Sequence, residues 1–262
     1  MIRLVALDID GTLLDSRDRL SPAVAEAVRR ASAGGVAVAL ATGRWYASAR
    51  RWAGRLDATA PIISHSGARV TRQDPEDDLL HLTLPLEPMR AIVAFMDACG
   101  AQVNLTVGPV TYTRPRPGLD AARLPADLRA ETAHLPFLTA PPTTALVFDA
   151  AGITAVCDAF ERQYGGVIQF LVNRTSGTSD HLTMQSPATD KGRALLRVCE
   201  ELGIAPDETL AIGDAESDTA MFRVAGMSVA MGNANAAVQA RATAVAPSND
   251  EDGVAWALAR FL

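Results

Sequence analysis

At 262 residues, 48% of them hydrophobic and 21% charged, the chain has enough apolar material for a substantial core and no compositional reason for disorder. Its formal charge of -6, from 24 basic and 30 acidic residues, leaves no broad positive field for a nucleic-acid backbone or an anionic membrane. No apolar run has the length of a membrane span, no leader pattern precedes Ile2, and Cys99, Cys157 and Cys199 lack metal-ligand spacing, so a cytoplasmic location with cysteines as apolar fillers is expected.

Arg3 to Leu7 predicts a buried strand ending at Asp8, with Gly11 allowing a tight turn. Ser21-Pro22 caps and opens a helix to Ala33, stopped by Gly34-Gly35. A strand over Val36 to Ala41 leads into Thr42-Gly43-Arg44. A helix over Trp45 to Arg55, a strand over Pro61 to Ile63 and a Ser64 to Gly67 turn follow. Parallel β-α-β units with right-handed crossovers account for this order.

The texture then changes, with Pro85-Leu86-Glu87-Pro88 as an entry linker and Ser186-Pro187 as an exit. Between them a helix (Met89 to Ala98), strands (Gln102 to Val107, Thr111 to Thr113, Ala145 to Phe148), a helix (Ile153 to Tyr164) and two strands (Val167 to Val172, His181 to Met184) suggest a separate α+β domain. The proline-rich stretch from Arg114 to Pro142 gives no firm pattern. After Lys191 the α/β alternation resumes: helix to Leu202, strand Leu210 to Ile212, helix Glu216 to Val224, strand Met227 to Ala230, helix Ala234 to Arg241, strand Ala244 to Ala246, helix Glu251 to Phe261. The expected fold is thus α/β: a Rossmann-like, mainly parallel sheet core (residues 1–84 and 187–262) with an inserted α+β cap (85–186).

Polar clusters follow the apolar strands, so they meet at the carboxyl edge of the sheet. Asp8 at a strand end is suited to attack phosphorus, its carboxylate forming an acyl phosphate. Asp10, across the turn, is suited to protonate a leaving oxygen and later take a proton from water. Gly213-Asp214 ends another strand, and Asp218 returns four residues later. Carboxylates gathered this way repel one another unless a hard cation joins them, so the expected metal set is Asp8, Asp10, Asp214 and Asp218, with Mg2+ as cofactor. Lys191 is the chain's one lysine among 24 basic residues, as if position 191 needs a compact ammonium. With Asp8, Thr42, Gly43 and Asn249 it forms the expected phosphate-binding set. Arg44, Tyr112, Arg114, Arg116, His134 and His181 are candidate substrate selectors.

In order and spacing, Asp8-Ile9-Asp10-Gly11-Thr12-Leu13, Thr42-Gly43-Arg44, Lys191-Gly192 and Gly213-Asp214-Ala215-Glu216-Ser217-Asp218 resemble the haloacid dehalogenase superfamily. Specifically, the chain looks like a Cof-type phosphatase with a large α/β cap (subclass IIB). The resemblance implies a phosphoaspartyl intermediate on Asp8, acid/base work by Asp10, Mg2+ at the late acidic loop, and phosphate held by Thr42 and Lys191. Met231 to Ala234 and Ser248 to Val254 resemble segments that close the active-site side. Two positions depart from the family pattern, Ser66 and Ser217 standing where Asn is usual.

The expected activity is hydrolysis of a small, sugar-like phosphomonoester by a monomer or small homo-oligomer, the partner being a small phosphorylated metabolite and neither nucleic acid nor membrane. Two alternatives remain open at this point. A sugar phosphomutase would return the phosphoryl group to sugar, and a non-enzymatic phosphate-binding module would bind without Mg2+-stimulated phosphate release.

Overall fold

The computed structural model describes residues 1–173 and 180–262. They form two compact units, one of Met1–Leu80 with Asp190–Leu262 and one of His81–Thr189; the sequence-based divisions lie at 84/85 and 186/187.

The first unit opens with β1 (Leu4–Leu7), buried at every position, as a parallel strand covered on both faces must be. Ser21 accepts the Val24 N–H at 3.1 Å and Pro22 opens α1 (Pro22–Ala33). Then come β2 (Ala37–Leu40), α2 (Tyr46–Arg55) and β3 (Ile62–Ser64). Two strands that the pattern did not predict follow, β4 (Arg69–Thr71), antiparallel to β3, and β5 (Asp78–His81). Both are short and carry a charged residue, which hides their apolar alternation. The buried Arg69 satisfies its guanidinium on Asp78, at 2.8 Å from Nε.

The second unit runs α3 (Leu86–Cys99), β6 (Val103–Val107), β7 (Val110–Thr113), β8 (Leu128–Ala130) and β9 (Thr144–Val147). It continues with α4 (Ala150–Val156), a π-turn at Cys157–Glu161, α5 (Arg162–Tyr164), β10 (Gln169–Asn173) and β11 (His181–Gln185). The helix expected from Ile153 starts earlier because Asp149 accepts the Gly152 N–H at 2.7 Å. The sheet order is β10-β11-β9-β6-β7-β8. Val103, Leu105, Ala145, Val147, Leu182 and Met184 pack with α3 and α4 in one core, so the alternate residues point to the other face.

The first unit then resumes with α6 (Lys191–Leu202), β12 (Thr209–Gly213), a 3-10 turn at Glu216–Asp218, and α7 (Thr219–Val224). β13 (Met227–Ala230), α8 (Ala236–Gln239), β14 (Ala244–Val245) and α9 (Gly253–Phe261) complete it. Its sheet is parallel in the order β14-β13-β12-β1-β2, and Ala41 bridges onward to Ile63. In this register Leu7 stands level with Ile212 on one side and Leu40 on the other. The residues just beyond these strands therefore share one sheet edge.

Candidate active site

Asp8 follows β1 and donates its backbone N–H to Ile212 at 3.0 Å. The turn after it bends through Gly11 at φ +77°, where a Cβ would lie 2.3 Å from Asp214 Oδ2. A residue without a side chain is thus what lets this turn approach Asp214. Thr12 Oγ1 donates to Asp214 Oδ1 at 2.9 Å, and Asp218 Oδ2 accepts the N–H groups of Asp214 and Ala215 at 3.0 and 2.9 Å. Lys191 is the first residue of α6, whose N-cap Asp190 accepts the Arg193 N–H at 2.8 Å. Its ammonium is buried, 2.7 Å from Asp8 Oδ1 and 2.7 Å from Asp218 Oδ1.

Among the described residues, Asp8, Asp214 and Asp218 each offer a carboxylate oxygen within 4.8 Å of the others. Three carboxylates face one ammonium, and burial together with the crowded charge shifts two of them, Asp8 and Asp214. Burial pushes Asp8 well above the usual carboxylate range, with Lys191 opposing and Asp218 and Asp214 adding. Burial, then Asp218, pushes Asp214 up to about 6. Burial disfavours the Lys191 charge, yet Asp218 and Asp8 outweigh it and hold the ammonium above its ordinary value. An all-oxygen, close-set group with uncompensated negative charge fits a hard divalent cation.

Asp10, the fourth member of the expected metal set, is not in this close group of three. It is bound by Arg44, whose Nε lies 2.8 Å from Oδ2 and whose Nη2 lies 2.5 Å from Oδ1. Thr42 is buried at the same sheet edge, but its backbone N–H donates to Ile63 at 2.9 Å. Its backbone donor is thus taken, and the group left to meet a phosphate is the hydroxyl, whose oxygen accepts the Arg44 N–H at 3.1 Å. Gly43 lies between them; a Cβ there would meet Ser66 Oγ at 3.4 Å. Ser66 sits at φ +57° and donates its N–H to Thr42 at 3.0 Å, a left-handed position that Asn adopts more readily.

The family model for haloacid dehalogenase-like hydrolases matches residues 5–258. The chain belongs to that family. Its relatives include phosphatase YwpJ of Bacillus subtilis, 26% identical over all of both chains. Another is a phosphoglycolate phosphatase of Methanopyrus kandleri, 29% identical over 100% of this chain and 98% of that one. The crystal structure of a haloacid dehalogenase-like hydrolase from Bacteroides thetaiotaomicron superposes with a TM-score of 0.86 at 27% identity, covering all of both chains. Among the described residues no helix is long and apolar enough to cross a membrane.

In this haloacid dehalogenase-like hydrolase several expected site residues turn out to hold structure. Asn249 Nδ2 donates to the Leu14 carbonyl at 2.8 Å, and its N–H donates to Asn233 Oδ1 at 3.0 Å. Asn233 in turn donates to the Gly11 carbonyl at 2.8 Å. The two asparagines thus clasp the Asp8 to Leu14 loop. Thr12 and Asn233 lie within two of the segments that carry the resemblance, and only their side-chain geometry gives each a role. Ser217 is exposed on the Glu216–Asp218 turn, clear of the Asp218 hydrogen bonds.

The candidate selectors divide among three places. Arg44 is on Asp10. Tyr112, Arg114 and His134 go to the helix-packed side of the second unit, which corrects their reading as selectors. Tyr112 stacks on Phe137, while Arg114 Nη2 and His134 Nδ1 both lie 3.0 Å from Asp97 Oδ1. Arg116 lies over the Phe148 ring at 5.9 Å, and His181 is 6.0 Å from the same ring. Near them, on the face turned from α3 and α4, are Asn104, Thr144, Thr183 and Gln185, and the strand residues there carry no formal charge.

Proposed function

We propose that this haloacid dehalogenase-like hydrolase is a Mg2+-dependent phosphatase of small phosphomonoesters, working through a phosphoaspartate on Asp8. The observation that carries this reading is the buried Lys191 bridging Asp8 and Asp218, with Asp214 close beside them. An Asp8 oxygen attacks phosphorus, and the ester oxygen leaves with a proton from Asp10. Asp10 then takes a proton from the water that attacks phosphorus, releasing phosphate and restoring Asp8. Lys191 offsets charge on the nucleophile that would otherwise repel the ester, and the Thr42 hydroxyl is available as a donor. Asp8, Asp214 and Asp218 are the residues that would hold Mg2+, which would neutralise phosphate charge as Lewis acid.

The alcohol portion is assigned as sugar-like: the sheet face of His81–Thr189 turned from α3 and α4 carries hydroxyl and amide groups (Asn104, Thr144, Thr183, Gln185) beside Leu146 and Leu171, and no formal charge. The test is phosphate release across sugar, nucleotide and cofactor monoesters with and without Mg2+. Asp8→Asn is expected to fall to background. Turnover near that of the parent would refute the nucleophile.

A further inference from the structure

The geometry points to Arg44 as a phosphate-operated latch on Asp10: the guanidinium that grips Asp10 without ligand transfers to the phosphate oxygens when an ester arrives, freeing the acid/base. This rests on the proposed hydrolase reading and adds to it a residue and an order of events.

Three features carry it. The grip is two-pronged, with Nε and Nη2 each bonded to Asp10, so both carboxylate oxygens are occupied by the guanidinium fork. The fork must let go of at least one oxygen before that oxygen can face a leaving group.

The grip can also open. The Asp10 side chain is 53% exposed and that of Arg44 25%, so the pair is partly solvated, and such pairs are held weakly. The backbone of Arg44 does not need to move. Its N–H donates to Thr42 Oγ1 at 3.1 Å and its carbonyl accepts the His65 N–H at 2.9 Å, so the change is confined to a flexible side chain on a fixed base.

Finally, phosphate needs a cation whose present partner can give it up, which a pair buried from water does not. Lys191 is held by Asp8 and Asp218 at 2.7 Å each. Arg44 follows Thr42 and Gly43 at the same sheet edge, and a guanidinium fork matches a phosphate as well as it matches a carboxylate. A dianion competes with a partly solvated monoanion for that fork.

The experiment uses the full chain with Mg2+, comparing the parent, Arg44→Gln and Arg44→Lys. Probes are p-nitrophenyl phosphate, whose leaving group needs no proton, glycerol 2-phosphate, whose leaving group does, and inorganic phosphate as inhibitor. The latch predicts that Arg44→Gln raises KM for both esters and the phosphate inhibition constant by about tenfold or more. The kcat ratio of alkyl to aryl ester should stay within about twofold of the parent's, and Arg44→Lys should recover part of the affinity. The Nε–H resonance of Arg44, assigned by its loss in the variant, should move when inorganic phosphate is added.

A fall in the alkyl-to-aryl ratio with KM unchanged would overturn the latch, because Arg44 would then be orienting Asp10 throughout. Constants that do not change, or a resonance that ignores phosphate, would reduce the contact to an ordinary surface ion pair. If neither ester is hydrolysed by the parent, the hydrolase reading fails, while the resonance and the affinity for inorganic phosphate still decide the latch.

Discussion

The ammonium of Lys191 lies 2.7 Å from the carboxylate of Asp8, and both side chains are buried. Removing one member of such a pair leaves the other charge without compensation in a place water does not reach, and Asp218 would lose the same partner. Lys191→Met should destabilise the metal-free protein by about 3 kcal/mol or more, measured by urea unfolding at neutral pH. Lys191→Arg should not restore it, since a planar fork cannot place one point charge between the two oxygens. A loss under about 1 kcal/mol would mean that the carboxylates find other partners.

A second consequence concerns pH and metal. Asp214 is pushed up to about 6 against 3.8 for an unperturbed carboxyl, and Asp8 is raised in the same direction. Each binds its proton more tightly folded than unfolded, so metal-free stability falls as pH rises from about 4 through about 6. Mg2+ competes with those protons for the ionised oxygens. The Mg2+ concentration giving half-maximal thermal stabilisation should therefore climb as pH is lowered through about 6, by up to about tenfold per pH unit for each proton displaced. A midpoint that stays constant between pH 5 and 7 would remove Asp214 from the metal set.

The fold was legible where the chain follows one rule at a time. β1 is apolar at every residue because both its faces are covered, and α1 announces its start through Ser21 and Pro22. β4 and β5 were hidden because Arg69 and Asp78 look like surface residues until each is seen to be the other's partner. β8 was hidden because three residues in a proline-rich stretch carry no period. At the site, Asp8, Asp214 and Lys191 announce themselves by residue type and by following or preceding strong elements. The engagement of Asp10 by Arg44 and the Asp97 partnership of Arg114 and His134 depend on side-chain direction between distant segments, which one-dimensional spacing does not contain.

Asn249 gives the last prediction. Were it a phosphate ligand, removing its amide would weaken binding of every ester and of inorganic phosphate. The structure instead spends that amide on the Leu14 carbonyl at 2.8 Å and the adjoining N–H on Asn233, which holds Gly11. Asn249→Asp turns the donor into an acceptor facing a carbonyl, so the loop carrying Asp8 and Asp10 should loosen at its far end. A stability loss of about 1 to 3 kcal/mol is expected from the broken contact. With it, kcat should fall by about tenfold while inhibition by inorganic phosphate keeps its parent constant. The reverse outcome, an unchanged kcat with a weakened phosphate constant, would return Asn249 to the phosphate site, because holding the loop in place cannot by itself change affinity for the free anion without also displacing the nucleophile.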